Sequence, residues 1–222
     1  ETGDYVAVMG PSGSGKSTLL YSISCMDRID EGQVFFRGTE LSKFDERQLA
    51  KFRLNMMGFV FQNPHMLKNL SILDNIVLPG FVANKEPAAH IIERANKLME
   101  EMGIKDLAGR DVRQVSGGQL QRAAICRAMI NRPDVLFMDE PTGALNTGAT
   151  QQVLDILEPL NEKGTTILIV THDFRVAARA KKVLYIEDGR IAASKDLSGC
   201  ENREMELAEW MEGLEVATVC AA

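Results

Sequence analysis

No apolar run in this 222-residue chain approaches the eighteen or so residues that a membrane helix requires, so nothing in it reads as a transmembrane segment. Positive charge is also in short supply. With 25 Lys and Arg against 31 Asp and Glu, the formal net charge is -6, which argues against nucleic acid as a partner, because affinity for a phosphate backbone comes from clustered cations. Any anion site must therefore be local. Cys25, Cys126, Cys200 and Cys220 are far apart and form no C-x-x-C pair, which excludes a zinc knuckle or disulfide framework of the usual spacing and fits idle thiols in a reducing compartment. No leader-like segment opens the chain, and since it begins on Glu1 rather than Met, part of the native start is expected upstream. Internal repeats and low-complexity stretches are absent as well. What is present is an ordinary globular composition, 45% hydrophobic and 25% charged, long enough for one large core with a small appended subdomain.

Short apolar runs at Tyr5 to Met9, Val34 to Phe36, Gly58 to Phe61, Val135 to Met138, Thr166 to Val170 and Val183 to Ile186 read as strands. Helix-compatible stretches separate them: Lys16 to Cys25, a polar stretch at Asp45 to Phe52, Thr147 to Leu160, and Phe174 to Ala180. From Gln62 to about Ile130 the pattern turns helical, with Ile91, Ala95, Leu98 and Met102 at the 3.6-residue period of an amphipathic helix that opens on Pro87. The tail from Asn202 to Leu214 reads as a further helix with Met205, Ala208 and Met211 on one side. Strands alternating with helices predict an α/β fold, a mainly parallel sheet covered on both faces. The many methionines, among them Met56, Met57, Met99 and Met129, read as core filler.

Chemistry enters between the first strand and the first helix, in GPSGSGKST from Gly10 to Thr18. A G-x-x-x-x-G-K-[ST] turn lets successive backbone N–H groups converge on phosphate oxygens, and side chains at Gly10, Gly13 and Gly15 would obstruct that approach. Pro11, Ser12 and Ser14 fill the loop; Lys16 offers an ammonium to the β and γ phosphates, Ser17 a hydroxyl to Mg2+, and the helix N-terminus that includes Thr18 its positive dipole end. The turn resembles the phosphate cradle of the P-loop NTPases. A second signal is VLFMDE, Val135 to Glu140, an apolar strand ending in two carboxylates. Asp139 is placed to hold Mg2+, which prefers oxygen ligands and keeps several waters. Glu140, one residue on, can accept a proton from water attacking the γ phosphate.

The third signal is VSGGQLQR, Val115 to Arg122, and with it the sequence resembles the ATP-binding cassette (ABC) ATPases. The phosphate loop, Gln62 in FVFQN, VSGGQ, VLFMDE, PTGALN and His172 in VTHD follow one another in that family's order and spacing, over residues 3 to about 193. The resemblance implies that Ser116, Gly117, Gly118 and Gln119 close over the ATP held by a second ATPase subunit, usually another copy. It implies that Gln62 touches Mg2+ or its water, and that His172 holds the γ phosphate and orients Glu140. His65 and His90 carry no such role. The family's plan places the core ATP-binding part at 1–61 and 131–193, a helical part at 62–130, and a tail at 194–222.

Departures from the family pattern are Val115 where leucine is commoner, Asn146 where aspartate is common, and the front of the chain. The family stacks adenine on an aromatic residue upstream of the phosphate loop, whereas Tyr5 lies inside the first strand; that aromatic is expected upstream of Glu1, or the base is held weakly. Phe59 to Phe81 and PTGALN look like the subgroup of macrolide exporters, lipoprotein-release ATPases and bacitracin-type peptide resistance transporters. That likeness implies a peripheral subunit on the cytoplasmic face of a bacterial membrane, driving an integral permease contacted near Asn63 to Leu70, where Met66, Leu67 and Leu70 follow a proline. The alternative is an ABC ATPase driving a non-transport membrane process, such as control of cell-wall hydrolysis during division.

Overall fold

Strands β1 (Tyr5–Met9), β4 (Met57–Phe61), β5 (Val135–Asp139), β6 (Thr166–Val170) and β7 (Lys182–Glu187) lie parallel in the computed structural model, which describes residues 1–221, with side chains described through Leu214. The order across the sheet is β4-β5-β6-β1-β7, and β8 (Arg190–Asp196) closes the edge antiparallel to β7. A separate antiparallel pair, β2 (Phe35–Phe36) with β3 (Thr39–Glu40), makes a small second sheet.

The apolar runs form strands buried on both faces because successive side chains point to opposite sides. Val135 and Phe137 enter one apolar cluster with Leu20, Leu41 and Leu49, while Leu136 and Met138 enter the other with Ile76, Ile125 and Leu157. At about 1.5–3 kcal/mol for each large apolar side chain fully buried, these two layers supply most of what holds the sheet. Helices α1 (Lys16–Ile23) and α2 (Glu46–Met56) contribute to the first layer. The second holds α3 (Ile72–Ala83), α4 (Ala88–Glu101), α5 (Gly117–Met129), α6 (Thr147–Glu162) and α7 (Phe174–Ala177).

Most helix starts are fixed by side chains. Asp45, Ser71, Asn146 and Asp173 cap α2, α3, α6 and α7, and Ser116 with Gln119 forms a capping box on α5. Helix α1 differs: it starts from Gly15 in left-handed backbone, φ 98°, with no side-chain cap, so its first-turn N–H groups are not occupied from within by a cap.

The tail forms α8 (Arg203–Ala221), with a different inner face from the one the sequence suggests. Leu207 is fully buried and Trp210 and Met211 pack on the main core, whereas Met205 is 57% exposed. The 207, 210, 211 spacing gives a helix stripe containing the larger apolar surface, and that stripe wins. Lys195 donates to Glu206 at 2.9 Å and Arg203 to the Arg179 carbonyl at 3.2 Å, pinning the helix start. Helix α7 ends at Ala177, short of the expected Ala180. Cys25 and Cys126 are buried, Cys200 is half-buried, and Cys220 lies outside the residues whose side chains are described. Met57, Met99 and Met129 are core residues and Met56 packs against the core.

Candidate nucleotide site

Strand register decides where the candidate residues meet. Phe61 pairs with Asp139, Asp139 with Val170, and Val170 with Val8, so the loops that follow β4, β5, β6 and β1 leave the sheet at one level. Gln62, Glu140, His172 and the phosphate loop are therefore carried to a single edge, the carboxyl ends of the strands, where open α/β sheets hold ligands.

The phosphate loop needs its first glycine. Gly10 has φ 147°, and a Cβ there would lie 2.0 Å from the Ile186 carbonyl oxygen, so any side chain would force the loop off β7. Ser14 is buried and its Oγ has no protein partner, a donor inside the cradle suited to a phosphate oxygen. Lys16 Nζ donates to the Gly10 and Pro11 carbonyls at 3.0 and 2.7 Å, which holds the ammonium over the loop. Pro11, Ser12, Gly13 and Thr18 are exposed around it.

Ser17 Oγ donates to Asp139 Oδ1 at 2.9 Å, across from α1 to the end of β5. A hydroxyl and a carboxylate oxygen converging beside a phosphate loop are hard oxygen donors that fit Mg2+, which takes one or two carboxylates and completes its shell with water and phosphate. Asp139 also accepts a hydrogen bond of 2.6 Å from the Tyr21 hydroxyl. Burial first, then that bond, pushes the Tyr21 pKa up to about 12, so it stays a donor at neutral pH. Tyr21 carries no motif, but it stands one helical turn after Ser17, and that spacing was the available signal.

Glu140 follows with left-handed backbone, φ 48°, a strained conformation for a side chain of this size, held by Glu140 N–H donating to the Val170 carbonyl at 2.9 Å. Its Oε1 meets His172 Nδ1 at 2.9 Å, while Oε2 is buried and has no protein partner. One oxygen is oriented by the imidazole and the other is an acceptor available for a proton. Gln62 reaches the same turn: a Cβ on Gly143 would come within 2.8 Å of Gln62 Nε2.

Ser116 to Gln119 do not join this cluster. Ser116 Oγ accepts from Gln119 N–H and Gln119 Oε1 from Ser116 N–H, so the two side chains cap their own helix. Gly117 faces the loop after Glu140 and Gly118 the first turn of α6: a Cβ on Gly118 would sit 2.8 Å from Ala149 Cβ, and one on Gly117 3.6 Å from Leu145 Cδ2. Asn146 caps α6 through Ala149 N–H at 2.9 Å, so the residue that departs from the family's usual aspartate keeps the hydrogen bond without the charge.

Two residues not singled out in the sequence tie α5 to the Gln62 loop. Gln121, fully buried, donates to the Phe61 carbonyl at 3.1 Å. Arg127 donates to the Pro64 and His65 carbonyls at 2.5 and 3.1 Å, and burial pushes its pKa down. His65 is itself left-handed, φ 47°, so these bonds hold a strained turn. Arg127→Met, which keeps the stem and removes the donors, is expected to free that turn and lower stability by about 1.5–3 kcal/mol, the usual worth of a hydrogen bond to a charged group. A denaturant titration that leaves the midpoint unchanged would deny the clamp its energetic role.

Known proteins now bear on the geometry. A sequence profile described as ABC transporter matches residues 1–143. The chain belongs to the ABC transporter family. It is 41% identical to an uncharacterized ABC transporter ATP-binding protein of Methanocaldococcus jannaschii over 86% of this chain and 85% of that one. It is 44% identical to the macrolide export ATP-binding/permease protein MacB of Rhodopseudomonas palustris (strain HaA2), over 88% of this chain and 30% of that protein. The chain thus spans under a third of the length of its macrolide-export relatives. Among solved structures, a dimeric post-hydrolysis state of the ATP-binding cassette MJ0796 bound to ADP and Pi superposes with TM-score 0.83 at 35% identity, covering 90% of this chain and 88% of that one. The α/β class expected from the sequence, a mainly parallel sheet covered by helices, is the family's, and here it is accompanied by a small antiparallel pair. As a member, this chain is an ATPase of the ABC transporter type.

Proposed function

We propose that the chain powers a bacterial membrane transporter or extractor for antimicrobial peptides, macrolides or lipoproteins, with two copies closing head to tail on ATP. The observation that carries the ATPase half is the gathering of Lys16, the Ser17–Asp139 pair and the Glu140–His172 pair at one sheet edge. The likeness to macrolide-export proteins supports the cargo class. In this reading the loop from Gly10 to Thr18 binds the triphosphate through its N–H groups and Lys16. Ser17, Asp139 and Gln62 would hold Mg2+, which when bound neutralises phosphate charge. Glu140 takes a proton from the attacking water through its free oxygen, and His172 fixes the carboxylate and reaches the γ phosphate. Ser116, Gly117, Gly118 and Gln119 complete the site of the facing copy. Residues 1–61 and 131–193 then act as the ATP-binding part and 62–130 as the part that carries the signature, with the chain lying on the cytoplasmic face of the membrane. No helix among the described residues is long and apolar enough to cross a membrane, so the permease is a separate polypeptide or a further segment.

The permease seat near Asn63 to Leu70 splits in two. Met66 packs against the main core and Pro64 is buried, so these anchor the loop to its own fold, while Leu67 is 51% exposed. Leu67→Glu is expected to abolish co-purification with the membrane partner while leaving the melting temperature nearly unchanged, since exposed substitutions shift stability by about 0.5 kcal/mol or less. Met66→Glu should instead destabilise the isolated chain by several kcal/mol, because an unpaired charge would enter apolar packing. Retained co-purification in the Leu67 variant would remove this loop from the contact. Failure to recover any integral membrane protein with the wild-type chain from membranes would overturn the transporter reading itself.

A further inference from the structure

Tyr21 meets the candidate metal pair although no motif accounts for it. Its hydroxyl and that of Ser17 leave the same face of α1, four residues apart, and each meets a different oxygen of Asp139: Ser17 Oγ donates to Oδ1 at 2.9 Å and Tyr21 to Oδ2 at 2.6 Å. A phenol donating to a carboxylate is a charge-assisted bond. The terminal torsion of an aspartate has a broad well, so one donor leaves the carboxylate free to rock, whereas two donors on opposite oxygens fix its plane. The Tyr21 ring is itself placed by a tilted contact with Phe61, centroids 6.4 Å apart, and Phe61 precedes Gln62.

We infer that Tyr21 is a positioning residue for the metal side of the site: by tying down Asp139 Oδ2 it leaves Oδ1, next to Ser17 Oγ, as the oxygen offered to Mg2+. This rests on the reading of Ser17 and Asp139 as the Mg2+ pair. Tyr21→Phe removes only the hydroxyl and keeps the ring against Phe61. Without the hydroxyl the carboxylate must be ordered by the metal, and binding loses that much. A hydroxyl serving only to satisfy a half-buried tyrosine would make no difference to a metal.

The test uses Mn2+ as the probe, titrated by electron paramagnetic resonance into ATP-saturated protein, in a Glu140→Gln background so that ATP is not consumed. Tyr21→Phe is expected to raise the Mn2+ half-saturation about ten-fold, which corresponds to about 1.4 kcal/mol, while ATP affinity in EDTA and the melting temperature stay close to the parent. Asp139→Asn should raise it at least as far, and Tyr21→Phe added to Asp139→Asn should raise it no further, because the two changes act on one bond. Unchanged Mn2+ binding in Tyr21→Phe, an equal loss of ATP affinity with and without metal, or a full additional loss on top of Asp139→Asn would each overturn the inference. If Asp139→Asn itself binds Mn2+ like the parent, the Mg2+ reading of Asp139 falls first and the role of Tyr21 falls with it.

Discussion

Glu140→Gln is expected to slow ATP hydrolysis by about a hundred-fold to ten-thousand-fold, the usual contribution of a general base, with ATP affinity nearly unchanged. The substitution is close to isosteric. Glutamine can keep the 2.9 Å contact with His172 and makes no new demand on the left-handed backbone at position 140. What it loses is the ability of the buried, unpartnered Oε2 to take a proton from water. ATP should therefore persist on the protein and hold two copies together, so sizing in ATP should show a dimer that ADP does not support. Phosphate release within a few-fold of the wild-type rate would remove Glu140 from the role of base.

Lys16→Ala should fail earlier, at binding. The ammonium is held over the phosphate loop by the Gly10 and Pro11 carbonyls, and a triphosphate would draw it by charge. Losing charge-assisted hydrogen bonds worth about 1.5–3 kcal/mol weakens ATP binding by roughly ten-fold to a hundred-fold. The loop has other supports, including Ser14 N–H to the Pro11 carbonyl at 3.3 Å and Gly189 N–H to the Ser14 carbonyl at 3.0 Å, so the variant should still fold. An unchanged affinity in a nucleotide titration of a folded variant would show that Lys16 does not belong to the phosphate cradle.

The parts of this site that were legible in the sequence are those in which chemistry demands a residue type at a fixed spacing. Gly10, Lys16, Ser17, Asp139 and Glu140 could be found because glycines, a cation, a hydroxyl and two carboxylates follow apolar strands at set distances. The central strands were legible for a related reason, being continuous apolar runs buried on both faces. Strand β8 was not: RIAASKD carries charges and an exposed Ile191 because it is an edge strand, and only its pairing with β7 makes it a strand. Helix α3 was obscured by Pro79 and Gly80, yet Gly80 is what lets α4 approach, since a Cβ there would lie 2.6 Å from Ile91 Cγ2. Tyr21, Gln121 and Arg127 act through partners distant in the sequence, 118, 60 and 62–63 residues away, and spacing along one helix does not announce such partners.

The central claim is the proposal that a working site takes its phosphate loop from one copy and its signature helix from another; within one chain Ser116 and Gln119 hydrogen-bond to each other at the start of α5. It is tested most directly by mixing two variants each expected to be inactive alone, Ser116→Arg and Lys16→Ala, and measuring phosphate release. A head-to-tail dimer of one copy of each retains one site with an intact phosphate loop facing an intact signature. The expected result is ATPase activity in the mixture that neither parent shows, rising with total protein concentration. A mixture as inactive as its parents, from variants shown to form mixed dimers, would contradict the claim, and so would full wild-type activity from a chain that stays monomeric in ATP.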